Sequence, residues 1–526
     1  VAADGTLYVT LTPEGSAVPA VWRFRANTWA AITPPISNFT FSNRWWAGIA
    51  VDSKNSDRIA LADTNQSARD LFISNDAGAT WYIITGDPTT PAVYEPGTHR
   101  TASYMKPGWW QGNSFQYNWS GGLVFDPANS NRVWATTGYA AFVYADITTN
   151  PVVVDSFNHM KGLEMLIGLR VAPLPAATGS GVFVGAMDKV GFIVRDPAVV
   201  PAKNVSNVPI ANLTGIGVSA GTNTMLVSYS QSDYSYGETL RSTDGGQTWT
   251  QVGKPFPSYP SGYGGTQGGD VAVSAADGNR LVWIPIDTGW YPNTHPPVYS
   301  TNGGATWQTC AGLPTYFAAL ENIWNGYANV LTADAVTTLN FYVYWYDSTT
   351  GTGTFYRSLD GGVTWAATVS DLVGKTGSQL TARPGVAGEI WLKLGANLYR
   401  STNAGQSLTA ITGWTMVDAF GFGAPLSGQT GSTAYAVGVR AGVRGLFQSS
   451  DGGTTWTRSL DNGAMPFTLI STVCGDLAVP GRVYASTFGR GFYFVDLVLG
   501  SGAPPTITQG AAAIPAVVTT GATSAL

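Results

Sequence analysis

The chain has 526 residues, enough for two or more structural units, and only 11% of them are charged, against 44% hydrophobic, 64 glycines and 19 tryptophans. A formal net charge of −5, with no run of Lys and Arg, argues against a nucleic-acid partner, because that activity needs a basic face. No stretch of 18 or more apolar residues occurs, so no membrane span is expected, and the apolar content excludes a disordered main body.

In chain order, the sequence starts at Val1-Ala2-Ala3-Asp4-Gly5 already inside a repeat, as expected of a processed chain or one that lacks its first part. Short apolar runs then alternate with small polar turns: Gly48-Ile49-Ala50-Val51-Asp52, Leu71-Phe72-Ile73, Gly122-Leu123-Val124-Phe125-Asp126-Pro127, Asp270-Val271-Ala272-Val273, Val330-Leu331-Thr332-Ala333-Asp334 and Phe355-Tyr356-Arg357. Each reads as a strand. Six turns share the pattern Ser-x-Asp/Asn-x-Gly-x-Thr/Ser-Trp/Leu, starting at Ser74, Ser242, Ser300, Ser358, Ser401 and Ser449. The Asp or Asn side chain accepts from backbone N–H groups further along the turn, Gly supplies a backbone angle other residues resist, and the closing Trp can bury its ring between sheets.

From the second turn onward the spacing is 43 to 58 residues, the length of one four-stranded propeller blade. The expected class is therefore all-β, a β-propeller. About ten blades are expected, three before residue 160 and seven between Gly162 and Leu497. Two arrangements fit. One is a complete seven-bladed propeller (161–498) preceded by the C-terminal portion of another (1–160); the other is a single ten-bladed ring. The first is preferred, because Pro151 to Lys161 reads as a crossing. Residues 499–526 form a Gly/Ala/Pro/Thr-rich tail that reads as a linker or an extended segment.

The blade sequences resemble the two-propeller family-74 glycoside hydrolases, the xyloglucanases, along nearly the whole chain. Gly5-Thr6-Leu7-Tyr8-Val9-Thr10 with Trp29-Ala30-Ala31-Ile32-Thr33-Pro34 is similar to a mid-domain segment of the family's first propeller. Tyr484-Ala485-Ser486-Thr487-Phe488-Gly489-Arg490-Gly491 resembles its closing blade. The most specific likeness runs from Gly162-Leu163-Glu164 through Val184-Gly185-Ala186-Met187-Asp188-Lys189-Val190-Gly191-Phe192. There the family carries Gly-Asp-x-Gly-Gly-Phe with its catalytic acid; that acid matches Asp188, while Met187 and Val190 stand where the family has Gly. The resemblance implies an extracellular, inverting endo-acting hydrolase of the β-1,4-glucan backbone of a xyloglucan-like polysaccharide. Asp188 would be the general acid, paired with a second carboxyl on a facing propeller. It also implies an N-terminal segment that completes the first propeller and carries that second acid. The alternative is a non-catalytic glycan-binding or structural propeller protein outside the cell.

A sugar cleft also needs aromatic faces. The loop candidates are Trp45, Trp46, Trp109, Trp110, Tyr117, Trp119, Trp290, Tyr291 and Trp324. Trp109-Trp110 beside Gln111, Asn113 and Gln116 is the preferred pair. The aspartates of the repeated turns (Asp76, Asp244, Asp360, Asp451) read as structural, since Asn302 and Asn403 replace them in two turns and an acid catalyst could not be so replaced. Glu164 reads as a structural hydrogen-bonder. His99, His159 and His295 are too far apart to suggest zinc by local spacing, and no metal or cofactor is implied. Cys310 and Cys474 leave one disulfide possible in principle. Sequons at Asn38, Asn65, Asn118, Asn204 and Asn212 leave glycosylation open.

Overall fold

A computed structural model of the chain describes residues 1–11, 20–34, 46–63, 71–85, 99–104, 121–136, 141–155, 166–199, 201, 203–205, 211–231, 237–253, 268–285, 295–315, 329–347, 349–373, 379–461, 470–497 and 512–514. Strand is the dominant element among them, and the helix described is one 3-10 turn, Ala176–Thr178. Among the described residues no helix is long and apolar enough to cross a membrane. The chain divides into two compact units, Val1–Met165 and Leu166–Leu526.

The first unit holds three groups of antiparallel strands. Leu7–Leu11, Ala20–Arg25 and Thr28–Ala31 form one sheet. Two four-stranded groups follow, from Trp46–Asp52 to Tyr82–Thr85 and from Leu123–Phe125 to Val152–Asp155. The strand His99–Tyr104 runs parallel to the outer strand of each and joins them into one nine-stranded sheet. Pairing of outer strands between blades is not visible in a blade-length repeat.

Among the described residues the second unit contains seven sheets. The first has three strands (Gly168–Pro173, Val182–Ala186, Val190–Val194), and the next five, spanning 211–251, 269–309, 331–373, 379–410 and 414–461, have four each. The seventh joins Ile470–Gly475, Arg482–Thr487 and Phe492–Asp496 to Ala512–Ile514. Three residues of the C-terminal tail thus supply an outer strand, which its composition alone did not suggest.

Neighbouring sheets meet through their first strands, and each junction carries a hydrogen bond. In order round the ring these are Asp188 N–H to Asn212 Oδ1 (2.8 Å), Gly269 N–H to Thr214 Oγ1 (3.0 Å), Val330 N–H to Asp270 Oδ2 (2.8 Å), Leu380 N–H to the Asn329 carbonyl (2.8 Å), Phe420 N–H to Gln379 Oε1 (3.2 Å), Ala424 N–H to the Asp476 carbonyl (2.7 Å) and Val171 N–H to Thr472 Oγ1 (2.8 Å). The last joins the seventh sheet to the first, so the ring closes with seven sheets, not ten. Glycines permit the approach: a Cβ on Gly215 would sit 2.3 Å from the Gly269 carbonyl oxygen, and one on Gly421 would sit 2.1 Å from that of Val473.

Between the sheets lie apolar layers. Leu169, Phe183, Val190, Leu213, Met225 and Val227 pack between the first and second sheets; Trp391, Phe420, Phe422 and Ala436 pack between the fifth and sixth. Inside the ring, Arg170 of the first sheet reaches Asp270 of the third at 3.2 Å, and both side chains are buried. The Asp270 carboxylate also accepts from the N–H groups of Val330 (2.8 Å), Leu331 (2.9 Å) and Val271 (3.2 Å). Burying a carboxylate is tolerable only with such compensation. Glu389 is treated similarly, receiving Arg383, Arg400 and the Trp391 indole N–H.

The six repeated turns share one hydrogen-bond pattern. In the turn at Ser242, the serine hydroxyl donates to Asp244 Oδ1 (2.8 Å) and accepts from the Gly246 N–H (2.8 Å), while Asp244 receives the Thr248 N–H (2.9 Å) and hydroxyl (2.5 Å). Burial alone would raise the pKa of Asp244, but the hydrogen bonds from Thr248, Ser242 and Gln247 outweigh it and hold the carboxyl down at about 2. At Asn302 the amide Nδ2 donates to Thr306 Oγ1 (2.8 Å) and Oδ1 still accepts the Thr306 N–H (3.0 Å). The turn survives because only the direction of the side-chain bond reverses.

Because Asp244 is more acidic in the folded chain than the ordinary carboxyl near 3.9, it stabilises the fold above that value, and this contribution fades as pH falls through about 2. Asp244→Asn is accordingly expected to narrow the gap between neutral and acid stability, which tryptophan-fluorescence unfolding at pH 7 and pH 2.5 measures. An unchanged gap would remove the carboxylate from the acid sensitivity.

Candidate active site

Asp188 occupies the turn Met187-Asp188-Lys189 of the hairpin Val182–Ala186/Val190–Val194, whose last pair is Ala186 with Val190. This connection joins the second and third strands of its sheet. The five repeated turns of this unit lie between third and fourth strands. In an up-and-down sheet those two connections leave from opposite ends, so Asp188 sits on the ring face opposite the repeated turns.

The turn is tightly wound. Asp188 (φ 64) and Val190 (φ 57) are both left-handed, a conformation that Asp tolerates and a β-branched residue resists. Val190 keeps it with a side chain fully buried in the apolar layer, and Met187 is also buried. Gly191, where the family motif has Gly too, admits no side chain, since a Cβ would sit 2.5 Å from Phe183 Cζ and 2.6 Å from the Val184 carbonyl oxygen. The backbone of the turn is tied outward: Met187 N–H donates to the Ile167 carbonyl (3.0 Å) and Asp188 N–H to Asn212 Oδ1 (2.8 Å).

The Asp188 side chain is half-buried. Burial raises its pKa above the ordinary carboxyl value, and the Lys189 ammonium partly opposes this. The Lys189 ammonium is itself pushed down by burial. None of the hydrogen bonds among the described residues ends on the Asp188 carboxyl, whereas every carboxyl of the repeated turns is surrounded by donors and held below its usual range. The two kinds of aspartate are therefore separated by environment. Burial shifts one toward its protonated form, and hydrogen bonds hold the other toward its anion.

Replacing Lys189 by Gln removes a cation that favours ionised Asp188, so the protonated form should persist to higher pH. The Asp188 titration is expected to move upward, and an NMR pH titration of the Asp188 carboxyl in the two chains measures it. A midpoint that stays in place would show that Lys189 does not act on the Asp188 carboxyl.

Of the aromatic candidates, Trp46 lies in the core of the first unit, 7% exposed, with its ring edge-on to Phe72 at 5.3 Å. Core packing occupies it, so it does not present an open face to a sugar. Trp45, Trp109, Trp110, Tyr117, Trp119, Trp290, Tyr291, Trp324 and Glu164 lie outside the described residues. Cys310 and Cys474 are buried free thiols in different sheets. Asn212, 3% exposed, has no room for a glycan, so that sequon is not an acceptor in the folded chain. Its contact with Asp188 was missed by motif reading; the available signal was an amide inside the apolar strand Ala211-Asn212-Leu213. Among the described residues no group of three or more His, Cys, Asp and Glu could hold a metal.

A closed ring of seven sheets, with Asp/Asn turns repeated on one face and a half-buried carboxyl on the other, defines a seven-bladed β-propeller. No family model matches the chain. It is 29% identical to a xyloglucanase from Paenibacillus sp over 95% of its length and 48% of the relative's, and 29% identical to xyloglucanase Xgh74A of Acetivibrio thermocellus over 94% and 57%. It is 27% identical to an oligoxyloglucan-reducing end-specific xyloglucanase of Emericella nidulans over 94% and 66%. Among solved structures, it superposes on the GH74 enzyme of Niastella koreensis with a TM-score of 0.69 at 27% identity, covering 94% of this chain and 66% of that one. On these matches the chain is similar to the family-74 glycoside hydrolases along nearly its whole length. It spans about half the length of the curated relatives it matches first.

Proposed function

We propose that the protein hydrolyses the β-1,4-glucan backbone of a xyloglucan-like polysaccharide with inversion, and that Asp188 protonates the leaving oxygen. The observation that carries this reading is the environment of Asp188: a half-buried carboxyl with no hydrogen-bond donor among the described residues, its pKa raised by burial, at the position that matches the family's acid. Such a carboxyl can hold a proton at a pH where the repeated-turn aspartates cannot. Inversion requires a second carboxylate, about 6.5–9.5 Å from the first, to activate water on the other side of the sugar. The substrate is a polymer too large to enter a cell, so the reaction belongs outside it.

Incubation of the protein with xyloglucan is expected to release oligosaccharides, and the wild-type chain should give α-configured reducing ends at first, visible by NMR. Absence of any released sugar, with binding retained in affinity electrophoresis, would replace the hydrolase by a glycan-binding propeller. Met187 and Val190 at the family's glycine positions are the observation that favours that alternative.

A further inference from the structure

We propose that Asn212 is the positioning residue for Asp188, acting from the neighbouring sheet through the backbone of the proton donor. The inference rests on the reading of Asp188 as general acid and extends it to a residue that does not touch the sugar.

Both polar backbone atoms of Asp188 are held by one strand of the second sheet. Its N–H donates to Asn212 Oδ1 at 2.8 Å, and its carbonyl accepts the Ala211 N–H at 3.4 Å. Asn is a poor strand residue, and an amide buried to 3% exposure between Ala211 and Leu213 is costly unless its hydrogen-bonding groups are used. The contact also crosses a blade junction, so it fixes the left-handed Asp188 against the adjacent sheet as well as within its own hairpin. An acceptor at this point determines where the carboxyl stands relative to the bond it must protonate.

Leu at position 212 has nearly the same size and no acceptor. Without the acceptor, the Asp188 N–H loses its partner and the turn relaxes; a displacement of about 1 Å at a reacting group costs about 10²-fold in rate. Asn212→Leu is therefore expected to lower kcat on xyloglucan about 100-fold with KM within about twofold of wild type. Asn212→Asp keeps the acceptor and adds a negative charge beside Asp188. It should keep kcat within about tenfold and move the alkaline limb of the kcat–pH profile upward. A purely structural contact would move neither the kcat-to-KM split nor the limb.

The measurement is a kcat–pH series on Asn212→Leu, Asn212→Asp and Asp188→Asn, each checked for native near-UV circular dichroism. If Asp188→Asn retains full activity, the underlying reading fails. If Asp188→Asn is inactive while folded Asn212→Leu behaves as wild type, only the positioning role falls. Should Asn212→Leu fail to fold, an unmoved limb in Asn212→Asp overturns the proposal.

Discussion

Asp188→Asn is expected to lower the rate of xyloglucan hydrolysis by about 10²–10⁴-fold, the contribution of a positioned general acid. The amide has the shape of the carboxyl and cannot give up a proton to the leaving oxygen, so binding should persist while turnover falls. The size of the loss follows from the environment of the side chain. Burial keeps Asp188 protonated into a less acidic range, and no hydrogen bond among the described residues draws it toward the anion. The same substitution at Asp244 should leave turnover unchanged, because that carboxyl is held as an anion at about 2 by its own turn. Initial rates for the two variants, with affinity electrophoresis for binding, make the comparison. Equal rates in Asp188→Asn and wild type would take the proton-donor role away from this residue.

Arg170→Met is expected to destabilise the second unit by about 3–5 kcal/mol, because it leaves Asp270 as a buried charge without its cation. The three backbone N–H groups that remain on Asp270 satisfy hydrogen-bonding sites but carry no full charge. The pair is a stability element only in that conditional sense, since removing both charges costs less than removing one. Arg170→Met combined with Asp270→Asn should therefore recover a large part of the loss. Urea unfolding of the two single variants and the double variant gives the coupling directly. If the single variant loses less than about 1 kcal/mol, Asp270 is not held as an anion in the folded chain.

Much of this architecture could be read from local chemistry. Ser242, Asp244, Gly246 and Thr248 lie within seven residues, and the spacing of their types already specifies which donor meets which acceptor. The apolar runs between these turns are likewise local, and counting them leads to seven sheets in the second unit. Contacts across sheets are another matter. Arg170 and Asp270 are 100 positions apart, and nothing in the text around either names the other. Asn212 carries a sequon that suggests surface exposure, while its surroundings bury it. Trp46 stands beside Trp45 in a loop-like stretch, yet its ring belongs to a core completed by Phe72. Asp188 stands out only through a family likeness, because a lone Asp in a turn has no spacing signal to separate it from the other turn aspartates.

The junction at Val171 and Thr472 binds residues 301 positions apart. Bringing two points so distant together costs a free chain about 5 kcal/mol in lost conformational freedom, a cost that grows only slowly with length. Among the described residues no strand from one end is woven into the sheet at the other, and there the seam is held by contacts between the first strands of the two sheets. The circle is complete only when the two ends of this unit have met.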